Sequence, residues 1–186
     1  MENLTAEQSI ELITRMIRTA ESNVKRNSFF FLLWGWVVVA ANLGMYILQK
    51  VDYPYPFIVW SITIPAWVFS MYKGYKMGRS KQVTTHFDRV TASLWITFGI
   101  CIFTIVAFGF KINYQLGPLV LLVAAIPTLV SGVLLKFKPL ILGGVLFWLF
   151  GILNFLLPYE WQPLIGALAI TCGYLIPGYL LKNKRD

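Results

Sequence analysis

Residues 73–89 read KGYKMGRSKQVTTHFDR. Lys73, Lys76, Arg79, Lys81 and Arg89 stand in this interval against a single acid, Asp88. Long apolar stretches flank it on both sides. Lys and Arg gather in the cytoplasmic loops of membrane proteins because cations resist transfer across the bilayer. The interval therefore predicts a membrane-embedded chain and, at the same time, which way round the chain sits.

Composition agrees. The chain has 186 residues, 58% of them hydrophobic and 13% charged, whereas soluble domains carry about 25% charged residues. The net charge of +8 is spread over loops rather than over one nucleic-acid-binding face. Orientation and attraction to anionic headgroups, worth about 1 kcal/mol per cation, account for it. No nucleic-acid partner is expected. Cys101 and Cys172 both lie inside apolar stretches and suit small buried hydrophobes rather than a disulfide.

Six uncharged stretches are expected to cross the membrane as helices, at about 28–49, 54–72, 90–110, 114–135, 139–158 and 161–181. About 20 residues at 1.5 Å each span a hydrocarbon core of ~30 Å, and backbone groups in lipid must be satisfied within the segment. The first stretch is too long for the core of a cleavable signal and reads as a retained span. The predicted fold is thus an all-α, six-span bundle of three helical hairpins, occupying residues 28–181. Residues 1–27 precede it and a basic tail, 182–186, follows.

Residues 4–26 are expected to form an amphipathic helix. Thr5 and Gln8 make a capping box, and Glu11–Arg15 and Glu21–Lys25 are acid-before-base pairs one turn apart. Ile10, Ile13, Ile17, Ala20 and Val24 recur three and four residues apart on one stripe. The stripe is too short for an independent coiled coil. The four acids and four bases of residues 1–26 cancel, unlike a Lys/Arg-rich lipid-binding helix. Such a helix lies on the bilayer or packs on the cytoplasmic ends of the spans. It also provides a surface for self-association or for a membrane-protein partner.

An even number of spans places both termini on one side. That side collects Arg15, Arg18, Lys25 and Arg26, then residues 73–89, then Lys136 and Lys138, then Lys182, Lys184 and Arg185. Lys50, Asp52, Lys111 and Glu160 fall on the other. Both termini are expected in the cytoplasm, in a bacterial inner membrane. Tyr53, Tyr55, Tyr114, Tyr159 and Trp161 mark the outer interface.

Each hairpin carries a tryptophan in its first helix (Trp36, Trp95, Trp148) and an internal proline in its second (Pro65, Pro127, Pro177). This suggests a threefold repeat and a kink at each proline, which removes a backbone hydrogen bond.

The chemistry is sparse. No Asp, Glu, Lys, Arg or His lies in the middle of any span. Such residues mark proton relays, ion paths and intramembrane catalysis. No catalytic set, cofactor motif or metal-ligand spacing is present, and His86 with Asp88 is a pair rather than a site. Asn42 and Asn154 are the candidate ligand-contacting polar groups inside the spans. Lys73, Lys76, Arg79 and Lys81 are the candidate grip on a lipid headgroup phosphate. Three functions remain open: a non-enzymatic assembly, regulatory or scaffold partner; a facilitator for a small neutral or amphipathic solute; and a lipid-modifying enzyme at the inner interface using His86, Asp88 and the basic cluster. The first is favoured by the absent catalytic groups, the tiny outer turns and the N-terminal stripe.

Overall fold

A computed structural model describes residues 6–79 and 86–183, with the side chains of residues 28–79 and 89–183. Helices account for almost all of it, and there is no strand among the described residues. Five helices are long and apolar enough to cross a membrane, at Ser28–Lys50, Arg89–Ala107, Leu116–Leu134, Lys138–Leu156 and Tyr159–Asn183.

Helix α1 runs Ala6–Lys50 without interruption, 45 residues in all. The boundary expected near residue 27 is not marked by any break in the helix. At 1.5 Å per residue α1 is about 68 Å long, roughly twice a hydrocarbon core. It ends in a Schellman motif: Tyr53 N–H donates to Leu48 O at 3.0 Å and Asp52 N–H to Gln49 O at 3.2 Å, with Asp52 left-handed at φ 51°.

The second apolar stretch differs from expectation. It opens as a 3-10 helix, Pro56–Ile62, and continues as α2, Thr63–Arg79. Pro54, Pro56 and Pro65 lie within twelve residues of one another. Each removes a donor, so the chain tightens into three-residue turns before the α-helix begins. Pro65 therefore stands in the first turn of a helix instead of kinking the middle of one. Thr63 Oγ1 donates to Trp60 O at 2.6 Å across the junction.

Helix α3 follows at His86–Ala107, α4 at Leu116–Leu134 and α5 at Lys138–Leu156. The last span is α6 (Gln162–Ile170), a π turn (Thr171–Leu175) and α7 (Ile176–Asn183). Pro127 stays inside α4. The three internal prolines thus sit in three different settings, a helix start, a helix interior and the exit of a π turn, and do not make three equivalent kinks.

Four elements form the core: α1, α4, α5 and the last span. The tightest pairing is α4 with α5, neighbours across the short turn at Lys136. Glycine permits it. A Cβ on Gly132 would stand 2.6 Å from Ile141 N, and one on Gly144 2.8 Å from Leu129 N. The turn itself is a second Schellman motif, with Phe137 N–H on Gly132 O at 2.9 Å and Lys136 left-handed at φ 50°. α1 packs antiparallel along the last span, with Phe31 and Leu32 beside Gly178 and Gly35 against Leu175. The expected hairpins are present as chain neighbours, but the packing is organised by α4–α5 and by closure of α1 on the C-terminal span. α2 and α3 are peripheral. They make no extended contact with each other, α2 buries only Ala66, and the 89–107 stretch of α3 buries none of its length.

This topology gathers Lys73, Lys76, Arg79, Arg89, Lys136, Lys138 and Lys182 at one end of the bundle, the basic end. Lys50, Asp52, Lys111 and Glu160 lie at the far end.

Candidate functional site

Among the described residues, two neutral clusters of polar side chains inside the bundle stand out. The first is built on the π turn. Pro177 has no N–H, and its ring crowds the carbonyl four residues earlier, that of Gly173. The helix absorbs this with a wider turn, in which Ile176 N–H donates to Thr171 O. Gly173 O then points at α5, where a Cβ on Gly143 would come within 2.6 Å of it. Gly143 is thus the residue that makes room for the freed carbonyl.

The same turn sends Tyr174 into the middle of the molecule, where it is 5% exposed. Its ring meets Phe147 edge-on at 4.9 Å, Phe31 at 5.5 Å and Trp95 at 6.5 Å. One side chain therefore ties together α1, α3, α5 and the last span. Its hydroxyl lies 3.3 Å from Thr128 Oγ1 on α4. Thr128 gives its only proton to Ala124 O at 2.7 Å, so Tyr174 is the donor between the two hydroxyls. One turn further along α4, Ser131 Oγ is buried without a hydrogen-bond partner among the described residues.

The second group lies toward the far end and contains both predicted asparagines. Asn42 Nδ2 donates to Val38 O at 2.9 Å. Its Oδ1 occupies the notch left by Gly166 on α6, 2.7 Å from where a Cβ would be. Asn154 on α5 is completely buried, and neither of its amide atoms has a hydrogen-bond partner among the described residues. Its Nδ2 rests against Gly117, 3.1 Å from a Cβ built there, and Gln162 Oε1 lies 3.7 Å from the same point. Gln162 is buried, and its Nε2 donates to Gln115 Oε1 at 2.8 Å. Gln162 and Gly166 are one turn apart on α6, so the structure brings Asn42 and Asn154 to adjacent turns of a single helix. Both are closely packed.

The basic end is different in kind. Lys73 Nζ stands 2.9 Å from the centroid of the Phe29 ring, a cation–π contact. Loss of solvent there pushes its ammonium below the ordinary lysine value. Lys76 and Arg79 are exposed in the last turn of α2, and Arg79 covers Tyr75 at 5.5 Å. Lys81 and the side chains of His86 and Asp88 lie outside the described residues. At the far end Lys50 pairs with Glu160 at 3.4 Å, and its Nζ lies between the rings of Tyr46 and Trp161. Both partners are about half exposed or more, so the pair contributes about 0–1 kcal/mol.

Hydroxyls and amides of this kind can hold a neutral hydrogen-bonding group. Among the described residues no three His, Cys, Asp or Glu side chains gather. Reading the sequence singled out Asn42 and Asn154 but missed Tyr174, Gln115 and Gln162. Tyr174 passed as an aromatic in an apolar run. The glutamines stand at the starts of the expected spans 114–135 and 161–181 and were not singled out, and the structure buries Gln162 where α6 meets α4. The chain matches no protein-family model, and comparison with curated proteins and with solved structures finds no match.

Proposed function

We propose that the chain is a six-span protein of a bacterial cytoplasmic membrane, with both termini in the cytoplasm, acting without catalysis as an assembly or regulatory partner. The observation that carries this reading is the continuity of α1. One helix joins the core of the bundle to the amphipathic stripe of residues 10–24, so whatever grips the stripe is mechanically coupled to the first span. The basic end supports the orientation through the positive-inside rule. Length supports the sixth span. Seven 3-10 residues at ~2.0 Å and ten α-helical residues at 1.5 Å carry residues 56–72 across about 29 Å, close to a hydrocarbon core.

Native mass spectrometry of the full chain, extracted gently into nanodiscs, tests the reading. A co-purifying protein or a defined oligomer is expected, and it is lost in the double variant Ile13→Asp, Ile17→Asp. A lone monomer for both proteins overturns it.

A second reading, a facilitator for a small neutral solute, draws on a separate observation. Two spans are discontinuous, the 3-10/α second stretch and the π-interrupted last one, and both pack on α1. Broken helices in corresponding positions often mark transport sites. Solute flux into proteoliposomes that is abolished by Asn154→Leu would favour it; flux equal to empty liposomes would remove it.

A further inference from the structure

Three helix ends meet at the far end of the bundle. Asn154 lies in the last turn of α5, Gly117 in the first turn of α4, and Gln162 is the first residue of α6. An α-helix leaves its first four N–H positions without an intrahelical partner. In α4, three of them are accounted for. Gln115 N–H donates to Ile112 O at 3.0 Å and Leu116 N–H to Tyr114 O at 2.7 Å, and Pro118 has no N–H. Gly117 N–H is the remaining one. No backbone carbonyl takes it, and the Gln115 side chain makes no capping bond.

The N–H groups of a helix point toward its start, and its Cα–Cβ bonds tilt the same way. The N–H of Gly117 and its bare side therefore open in one direction. Asn154 stands there, with Nδ2 3.1 Å from where a Gly117 Cβ would be, and Gln162 Oε1 lies 3.7 Å from the same point. Asn154 is completely buried, and both atoms of its amide lack a hydrogen-bond partner among the described residues. The notch thus presents two donors, Gly117 N–H and Asn154 Nδ2, at the positive end of a helix. Beside them it presents two acceptors, Asn154 Oδ1 and Gln162 Oε1.

Two converging donors suit a carbonyl oxygen, and the neighbouring acceptors suit N–H groups carried on the same carbon. A carboxylate would bring its second oxygen against the acceptors, and a ketone would leave them unpaired. Either mismatch is costly in a buried site. The chain itself already places a group of the matching kind here. Gln162 Nε2 donates to Oε1 of Gln115 at 2.8 Å, and Gln115 is only half-buried, on the turn before α4. Swinging that flexible side chain outward frees Gln162 and opens the way to Asn154.

We propose that Gly117, Asn154 and Gln162 form a binding site for a small neutral amide, a primary carboxamide or a urea, and that the Gln115 carboxamide is the built-in competitor that closes it. The unpartnered amide of Asn154 is then a stability cost retained for binding. This gives the solute reading above its chemical class and rests on that reading only for transport.

Acetamide, acetate and acetone are nearly equal in size and differ in the donors and acceptors they present. Saturation-transfer NMR titrations of each against the full chain in nanodiscs test the site. Acetamide is expected to bind saturably and at least tenfold more tightly than the other two, because a site built to pair a polar group rejects analogues that lack it. Asn154→Val, checked by a cooperative melt, should abolish the binding. Gly117→Ala, which sets a Cβ 3.1 Å from Asn154 Nδ2, should weaken it. Gln115→Ala should tighten it about tenfold by removing the competitor, and the gain should vanish in Gln115→Ala, Asn154→Val. Equal binding of the three probes, acetamide binding that survives Asn154→Val, or a gain that persists in the double variant overturns the proposal; the last would mark a hole left by the missing side chain. Acetamide binding without flux into proteoliposomes leaves the site standing and removes the solute reading. Flux of a neutral solute without acetamide binding removes the site and leaves that reading standing.

Discussion

At the scale of single residues, the core is specified by atoms that have no room to move. Gly143→Ala would drive a Cβ into Gly173 O. Backbone on both sides prevents relief, and overpacking of this kind costs about 1–3 kcal/mol. A matching fall in thermal stability in detergent is the expected result. Tyr174 separates ring from hydroxyl. Tyr174→Phe should cost about 1 kcal/mol, one modest hydrogen bond. Tyr174→Ala should cost about 3–5 kcal/mol, because the ring contacts of four helices are lost with it. If the two substitutions were equally harmful, the hydroxyl pair with Thr128 would matter more than the packing. Asn154 runs the other way. Its buried amide has no hydrogen-bond partner among the described residues, so Asn154→Val, an apolar residue nearer to it in volume than leucine, should raise stability by about 1–2 kcal/mol. A loss of stability would mean that the amide has a partner in the membrane that the fold alone does not supply.

At the scale of elements, helix ends and prolines decide the geometry. Lys136 occupies the left-handed position that closes the α4–α5 turn, a conformation that costs an ordinary residue about 1–2 kcal/mol and glycine little. Lys136→Gly should therefore raise the unfolding temperature while removing one base from the loop. Thermal melts of Lys136→Gly and Lys136→Ala separate the two effects, since only glycine relieves the strain. The positions of the prolines were visible in the sequence, but their consequences were not. Pro65 follows a 3-10 helix, Pro127 is tolerated within α4, and Pro177 coincides with a π turn. Each outcome depends on what neighbouring helices offer the freed carbonyls. For Pro177 that is the bare face of Gly143.

At the scale of the whole molecule, the bundle segregates charge end from end. In a chain whose Cys101 and Cys172 are replaced by alanine, single cysteines at positions 52 and 160 should react with a membrane-impermeant maleimide in intact cells. A cysteine at position 79 should react only after permeabilisation. Labelling of position 79 alone in intact cells would reverse the orientation, and labelling of 52 and 79 but not of 160 would show that the second stretch does not cross. The packing is uneven as well. α2 and α3 stand outside a four-element core, which leaves most of their apolar surface, including Trp67, Phe69, Ile96, Ile100 and Phe103, directed away from the protein. A lipid bilayer suits such a surface.

Hydropathy, segment length and charge add up along the chain, and no distant contact changes them. From these the sequence by itself determined a helical membrane protein, the approximate limits of its apolar helices and the gathering of bases at one end. It also set out the three-and-four spacing on the N-terminal helix and the two asparagines worth attention. Only the tertiary structure decided which helices touch, that α4 pairs most closely with α5, and that α1 closes on the last span. It alone made the start of the second stretch a 3-10 helix, placed Tyr174 at the centre and buried Gln162. Those outcomes depend on side chains from remote parts of the chain meeting at ångström distances, where one missing Cβ on Gly132, Gly143 or Gly166 selects the neighbour.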